Sequence, residues 1–118
     1  EIISYVPNVS IKDRTGRTAL HWACRFSHER ISHLLLLEGA DPDVVDNRGR
    51  TPLYLAVMSG SLNIIRLLLR LGADPNIADS DSRNPLQLAT EACNESAVAL
   101  LLKNGANPNI TDKTGKSC

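Results

Sequence analysis

The chain has 118 residues, of which 42% are hydrophobic and 22% charged, fractions typical of one soluble domain rather than of a disordered or fibrous chain. Thirteen basic and thirteen acidic residues cancel, so no overall field attracts the molecule to nucleic acid or to an anionic membrane. The longest apolar stretches, 53–58 and 97–102, are too short to cross a bilayer, and residues 1–12 lack the pattern of a secretory signal. Three cysteines without a Cys-x-x-Cys spacing favour a reducing intracellular compartment, the cytoplasm or the nucleus.

A four-residue motif returns along the chain with a period of 33. Gly-Ala-Asp-Pro occupies 39–42 and 72–75, and Gly-Ala-Asn-Pro occupies 105–108. Aspartates at 13, 46, 79 and 112 keep the same register. The period predicts three complete units, at 13–45, 46–78 and 79–111. Residues 1–12 then align with the tail of a preceding unit and residues 112–118 with the start of a further, truncated one, so we expect the parent array to be longer.

A short helix is predicted at the start of each unit. The predicted N-cap residues are Thr18, Thr51 and Asn84. Each has a side chain that can accept a hydrogen bond from a free backbone amide of the first helical turn. Pro52 and Pro85 follow two of them, in the first turn, where the missing N–H of a proline costs little.

A turn and a second helix complete each unit. The turn residues are Ser27, Gly60 and Cys93, and a left-handed conformation there costs a residue with a side chain on the order of 1 kcal/mol. Apolar residues at three- and four-residue spacings predict one buried stripe per helix, formed by Ile31, Leu34 and Leu35 and then by Ile64, Leu67 and Leu68. Glycines that end a helix follow at 39, 72 and 105. Polar Glu29 and Ser32 interrupt the first stripe, which predicts looser packing in the first unit than in the second.

Three hexapeptides in register carry a family resemblance: Thr18-Ala-Leu-His-Trp-Ala23, Thr51-Pro-Leu-Tyr-Leu-Ala56 and Asn84-Pro-Leu-Gln-Leu-Ala89. Together with the period they resemble the ankyrin repeat and its T-P-L-H-x-A signature, over nearly the whole chain. The resemblance implies an all-α solenoid of stacked helix-turn-helix units, with β-hairpin-like loops projecting along one edge.

Catalytic and metal-binding patterns are absent from the sequence. No phosphate-binding glycine loop, H-E-x-x-H or G-x-S-x-G motif occurs. Cys24, His28 and His33 lack a fourth ligand at a zinc spacing, so we expect no metal, no cofactor and no enzymatic activity. The resemblance implies that His21 makes structural hydrogen bonds between neighbouring loops. It also implies that Trp22 packs between helices rather than at a partner contact.

Members of the family usually bind partners on the concave face, formed by the hairpin tips and the exposed side of the first helices. Carried over residue by residue, the tips are Arg14, Thr15, Arg17, Asn47, Arg48, Arg50, Ser80, Asp81, Arg83, Lys113, Thr114 and Lys116. The first helices add Arg25, Phe26, Met58, Ser59, Glu91 and Ala92. Eight basic residues against two acidic ones predict a basic groove and an acidic or phosphorylated partner. Alternatively, the arginines at 17, 50 and 83 are loop residues paired locally. Phe26 and Met58 are the candidate apolar anchors.

Two functions follow from the resemblance. The first is a non-catalytic module that binds a protein or peptide, as a scaffold, adaptor or inhibitory subunit does. The second is the recognition part of a larger multidomain enzyme, such as a kinase, acyltransferase, GTPase-activating protein or ubiquitin ligase. Nucleic-acid binding is disfavoured because few aromatic residues are present and no stacking platform is evident.

Overall fold

The computed structural model of the chain describes residues 12–108. Within this range the chain forms six helices and no strand: α1 (Ala19–Arg25), α2 (Glu29–Leu37), α3 (Pro52–Ser59), α4 (Leu62–Arg70), α5 (Pro85–Glu91) and α6 (Glu95–Lys103). No helix among these is long and apolar enough to cross a membrane. The predicted partial units at the two ends, including Lys113, Thr114 and Lys116, lie outside the described residues.

The predicted caps of the first helices are confirmed. The side chains of Thr18, Thr51 and Asn84 each accept a hydrogen bond from the backbone N–H three residues later. In the third unit the Gln87 amide oxygen also accepts from the Asn84 N–H at 2.9 Å, so two free donors of that helix start are satisfied together. Pro52 and Pro85 occupy the first helical position, as expected.

The turn between the two helices of each unit is left-handed, as predicted. Ser27, Gly60 and Cys93 have φ values of 63°, 77° and 56°. Only the glycine adopts this conformation without a penalty, so the first and third units each store on the order of 1 kcal/mol of strain here.

The helices stack in two layers. In one layer α1 packs on α3 and α3 on α5, and in the other α2 packs on α4 and α4 on α6. Alanines at 23, 56 and 89 are buried in the first layer, where their small side chains let neighbouring helices approach closely. Leucines at 20, 53 and 86 are buried beside them, and each full burial of such a side chain contributes roughly 1.5–3 kcal/mol.

Two apolar side chains of the first unit are exposed, against prediction. Trp22 was expected in the core and is 38% exposed, whereas Leu55 at the same position of the second unit is fully buried. Ile31, expected in the buried stripe, is 45% exposed, whereas Ile64 is fully buried. Within the described residues α1 and α2 have a neighbouring unit on one side only, whereas α3 and α4 lie between two units. The side chains that face the open side therefore remain accessible.

The second helices of the first two units differ in packing. Helix α2 buries Ser32 and Leu35, and the Ser32 hydroxyl donates back to the His28 carbonyl at 2.9 Å. Helix α4 instead buries four aliphatic side chains, at 64, 65, 68 and 69. More apolar area therefore leaves water in the second unit, as the sequence predicts.

Hydrogen exchange of the backbone amides tests this difference. We expect amides of α2 to exchange at least about tenfold faster than those of α4, since each 1.4 kcal/mol of local opening free energy changes the exchange rate tenfold. Two-dimensional NMR after transfer to D₂O resolves the two helices. Slower exchange in α2 than in α4 would show that the apolar difference does not control local stability.

Candidate functional site

Each hairpin is held by the aspartate at its start. The Oδ1 atom of Asp46 accepts hydrogen bonds from the backbone N–H groups of Arg48 and Arg50, both at 2.9 Å. The equivalent pair of bonds recurs at Asp13 and Asp79 with distances of 2.8–3.1 Å. One carboxylate oxygen thus fixes the backbone of each hairpin tip.

The other carboxylate oxygen, Oδ2, accepts from a different side chain in each hairpin. For Asp13, Asp46 and Asp79 the donors are Trp22 Nε1 at 2.8 Å, Arg17 Nε at 3.2 Å and Tyr54 Oη at 2.8 Å, respectively. The Thr15 hydroxyl and the Trp22 indole hold the pKa of Asp13 well below its usual range. Burial opposes ionisation of Asp46, yet its backbone donors and Arg17 hold its pKa below the usual value. Burial and the bond to Asp79 raise the pKa of Tyr54 to about 12.

Successive hairpins are linked to one another. The Asn47 backbone N–H donates to the Thr15 carbonyl at 2.9 Å, and its side-chain amide donates to the Arg14 carbonyl at 3.0 Å. The Ser80 N–H donates to the Arg48 carbonyl at 2.8 Å, which repeats the backbone link one unit later. The tips therefore form a hydrogen-bonded row rather than three independent loops.

His21 joins the first helix to the next hairpin. Its Nδ1 accepts from the Thr18 N–H at 3.0 Å, and its Nε2 lies 2.8 Å from the Arg50 carbonyl oxygen. The amide can only donate and the carbonyl can only accept, which assigns the neutral tautomer protonated at Nε2. Burial lowers the pKa of His21 below 6.5 and favours this neutral form. The structural role that the resemblance implied for His21 is confirmed.

Two of the three arginines that precede the helix caps are paired locally. Arg17 donates to Asp46 and its guanidinium lies 4.9 Å from the centre of the Trp22 ring. Arg83 forms an ion pair with Glu91. These contacts follow the alternative that the sequence left open, in which such arginines have local partners. Arg50 is different and makes no ion pair within the part of the chain that the structure describes.

A cleft of about 470 Å³ separates the first two hairpins. We call it the basic cleft, and it is lined by Arg14, Thr15, Arg17, Asp46, Asn47, Arg48 and Arg50. Six predicted partner-binding residues thus meet in one place, with four arginines against one carboxylate. Ser80 and Asp81 are exposed on the next tip and do not line this cleft.

Phe26 and Met58, the predicted apolar anchors, are accessible, with exposed fractions of 56% and 37%. The Phe26 ring stacks on Trp22 with centroids 5.8 Å apart, and the Arg25 guanidinium lies 5.6 Å from the centre of the Phe26 ring. Sequence analysis assigned Trp22 to the core. Its four-residue spacing from Phe26, which places the two rings on one helix face, was the signal for this exposed pair.

Ser59 was predicted to contact a partner, but its hydroxyl is engaged inside the protein. Its oxygen lies 3.1 Å from the Cys24 carbonyl oxygen and 3.0 Å from that of Ala56, so its single hydrogen has an acceptor in α3 and one in the preceding unit. The Thr15 hydroxyl is similarly engaged with Asp13 at 2.7 Å. For both residues the hydroxyl is hydrogen-bonded within the protein and stabilises the surface instead of being free to bind a partner.

A second, larger cleft of about 660 Å³ lies between α2 and α4, on the layer formed by the second helices. Its charged residues are Glu29, Arg30, Arg66 and Arg70. The Glu29 carboxylate and the Arg66 guanidinium are both engaged by Asn63, at 3.2–3.3 Å. Sequence analysis did not find this cleft, because the family resemblance directs attention to the other layer.

The cysteine and histidine side chains offer no reactive centre in the described part of the chain. Cys24 is buried, and burial raises the pKa of its thiol to about 12, so the nucleophilic thiolate does not form at neutral pH. His28 and His33 are exposed. Among residues 12–108 no group of three His, Cys, Asp or Glu side chains is arranged to hold a metal ion.

Helix pairs stacked at a fixed period, with hairpins linked in a row, define a helical repeat protein of the solenoid class. The family described as "Ankyrin repeats (3 copies)" matches residues 29–112, and the chain belongs to the ankyrin-repeat family. An ankyrin repeat protein of Acanthamoeba polyphaga mimivirus is 41% identical over 44 residues, which cover 37% of this chain and 6% of the viral protein. The chain therefore corresponds to a small part of that relative's length. Ankyrin repeats are generally non-catalytic modules for protein–protein interaction.

Replacement of His21 by glutamine tests its buried neutral state. Because burial lowers the pKa of His21, the unfolded chain binds more protons than the folded protein as the pH falls below about 6.5, and the free energy of unfolding decreases. Glutamine does not titrate and caps the equivalent helix through Gln87. We expect His21→Gln to lower stability by about 1 kcal/mol near pH 7.5, through loss of the bond to the Arg50 carbonyl. The variant should lose less stability than the parent between about pH 7.5 and 5.5.

Urea unfolding of both proteins across this pH range measures the effect. An unchanged pH dependence in the variant would mean that His21 is not held neutral by burial.

Proposed function

We propose that this chain binds a protein or peptide partner through its hairpin tips and the exposed side of its first helices, as a scaffold, adaptor or inhibitory subunit. One observation carries the proposal: the guanidinium groups of Arg14 and Arg48 line the same cleft and have no partner among residues 12–108. They stand on adjacent hairpins whose backbones are hydrogen-bonded to each other. Two cations without a partner among residues 12–108 thus stand on hairpins whose backbones are linked.

The charge balance of the basic cleft supports an acidic or phosphorylated partner segment. Asp46 is its one carboxylate, and both oxygens of Asp46 already accept hydrogen bonds. Guanidinium groups bind carboxylate and phosphate oxygens through paired hydrogen bonds. Because the hairpins are already ordered, they lose little conformational entropy when a partner binds.

Apolar contacts complete the proposed surface. Phe26 and Met58 project from the first helices of successive units and are both exposed. An aromatic ring and a flexible thioether are side chains that commonly anchor protein interfaces. The charge of the basic cleft then orients the partner, and the two apolar side chains bury apolar surface against it.

We further propose a second candidate function, in which these repeats act within an extended array or as the recognition part of a multidomain enzyme. Apolar side chains are exposed at both ends of the described array: Trp22 and Ile31 in the first unit, and Leu102 in the last. Stacking of another unit on each end would bury them. An intracellular location goes with this proposal, because the free thiols of Cys24 and Cys93 suit a reducing compartment.

Affinity capture with charge-reversed variants tests the partner surface. The protein is immobilised in three forms: unchanged, with Arg14→Glu and Arg48→Glu, and with Arg30→Glu and Arg70→Glu. The last pair is the matched control, since it makes the same charge change in the cleft between α2 and α4. We expect specific partners to be recovered roughly tenfold less on the hairpin variant and equally on the control, as quantified by mass spectrometry.

All four sites are exposed, so each variant should remain within about 0.5 kcal/mol of the parent stability. Equal loss of partners on both variants would show that the change in net charge, and not the position of the arginines, weakens binding. Full recovery of the partners on the hairpin variant would show that the basic cleft is not the binding site.

A further inference from the structure

Three equivalent arginines, one per unit, differ in their anionic partners. Arg17, Arg50 and Arg83 each precede the cap of a first helix and are spaced by the repeat period. Arg17 is paired with Asp46 of the following hairpin, and Arg83 is paired with Glu91 of its own unit. Arg50 forms no ion pair with any described carboxylate.

Neither of the carboxylates that pair with Arg17 and Arg83 has a free equivalent beside Arg50. The position that holds Glu91 in the third unit holds Met58 in the second. The aspartate of the following hairpin, Asp79, is engaged elsewhere: its Oδ2 accepts from the Tyr54 hydroxyl at 2.8 Å. In the first unit His21 stands in place of that tyrosine and bonds to a carbonyl, which leaves the equivalent aspartate open to an arginine.

The environment of Arg50 calls for an acceptor. Its Nε atom is buried and, like the Nε atom of Arg83, has no hydrogen-bond partner within residues 12–108, but Arg83 has an ion pair with Glu91 whereas Arg50 has none with a described carboxylate. The guanidinium lies 5.6 Å from the centre of the Tyr54 ring, a contact that attracts the cation but accepts no in-plane hydrogen bond. Leaving a partly buried cation without an acceptor is unfavourable, and a ligand that supplies an acceptor relieves this cost.

We propose that Arg50 is the docking point for a carboxylate side chain of an acidic partner segment, which takes the place that Glu91 occupies beside Arg83. The ligand is a carboxylate because the two equivalent arginines already pair with carboxylates. Arg14 and Arg48 line the same cleft and draw the acidic segment in, while the accessible Met58 contacts an apolar residue next to the acidic one. This inference rests on the function proposed above and assigns it a specific residue.

Side-chain NMR of the intact chain tests the docking point. The probe is a blocked synthetic peptide with alternating leucine and glutamate, and its matched control replaces glutamate by glutamine. We expect the Nε–Hε signal of Arg50 to shift with the glutamate peptide and to stay in place with the glutamine peptide. No shift of this signal at peptide concentrations up to about millimolar, the range of weak specific binding, would overturn the proposal.

A second, independent test places a carboxylate beside Arg50 by mutation of the protein itself. Met58→Glu supplies to Arg50 the partner that Arg83 has, so it should weaken binding of the glutamate peptide about tenfold. Met58→Gln loses the same apolar contact without adding the charge, so the peptide should bind more weakly to Met58→Glu than to Met58→Gln, and the difference measures the added carboxylate. In an Arg50→Gln background the two Met58 variants should bind the peptide alike, since coupling between the two positions is lost. An equal difference between the two Met58 variants with and without Arg50 would contradict the proposal.

Inorganic phosphate and acetate, titrated separately, distinguish the chemistry of the ligand. A shift of the Arg50 signal with phosphate at concentrations where acetate is silent would replace the carboxylate by a phosphoryl group and overturn this assignment. The outcome is separable from the proposed function. If captured partners depend on Arg14 and Arg48 while the Arg50 signal stays in place, the interaction surface stands and the docking point fails.

Discussion

The carboxylate at the start of each hairpin is the constraint on which the exposed surface depends. Its Oδ1 atom accepts two backbone N–H groups and thereby fixes the conformation of four successive residues. In the second hairpin these residues include Arg48 and Arg50, so the same two bonds determine where both arginine side chains begin. Without this acceptor the amides would turn to water, and the tip would sample many conformations.

The second oxygen of the same carboxylate makes the units unequal. Asp46 uses it to bind Arg17, whereas Asp79 uses it to accept from Tyr54. Exchange of one side chain, histidine for tyrosine at the equivalent position, therefore changes which arginine is neutralised. A regular backbone in this way carries an irregular charge pattern, and partner specificity in a repeat protein has its origin in such differences.

The repeat pattern was sufficient to predict the helix caps and the left-handed turns, because each depends on residues close in sequence. Exposure of Trp22 and Ile31 was not predictable in this way. Equivalent positions have equal neighbours only inside an array, and these two lie at an open side of the described one. Local pairing of the arginines was an alternative that the sequence left open, since it depends on which of two nearby donors reaches a single carboxylate oxygen. The basic cleft followed from the family resemblance, but the difference between Arg50 and its two equivalents required the structure.

The proposed function is recognition of a protein or peptide partner by a surface that is ordered before binding. Buried Cys24 and neutral His21 serve the fold, while the arginines without a partner among residues 12–108 lie on the hydrogen-bonded hairpins and the exposed apolar side chains lie along the first helices. Such preorganisation favours tight binding because little ordering remains to be done when the partner arrives.

The ionisation of the hairpin carboxylates tests this account most directly. Carbon-13 NMR of the side-chain carboxyl groups, followed through an acid titration, reports the pKa of Asp13 and Asp46 individually. If their hydrogen bonds fix the hairpins, both carboxyls titrate clearly below about 3.9, the value of an unperturbed aspartate. The hairpin amide signals should then keep their folded positions until the carboxylates protonate. Titration of both at or above about 3.9 would contradict the account, because it would mean that these carboxylates do not hold the backbone of the interaction surface.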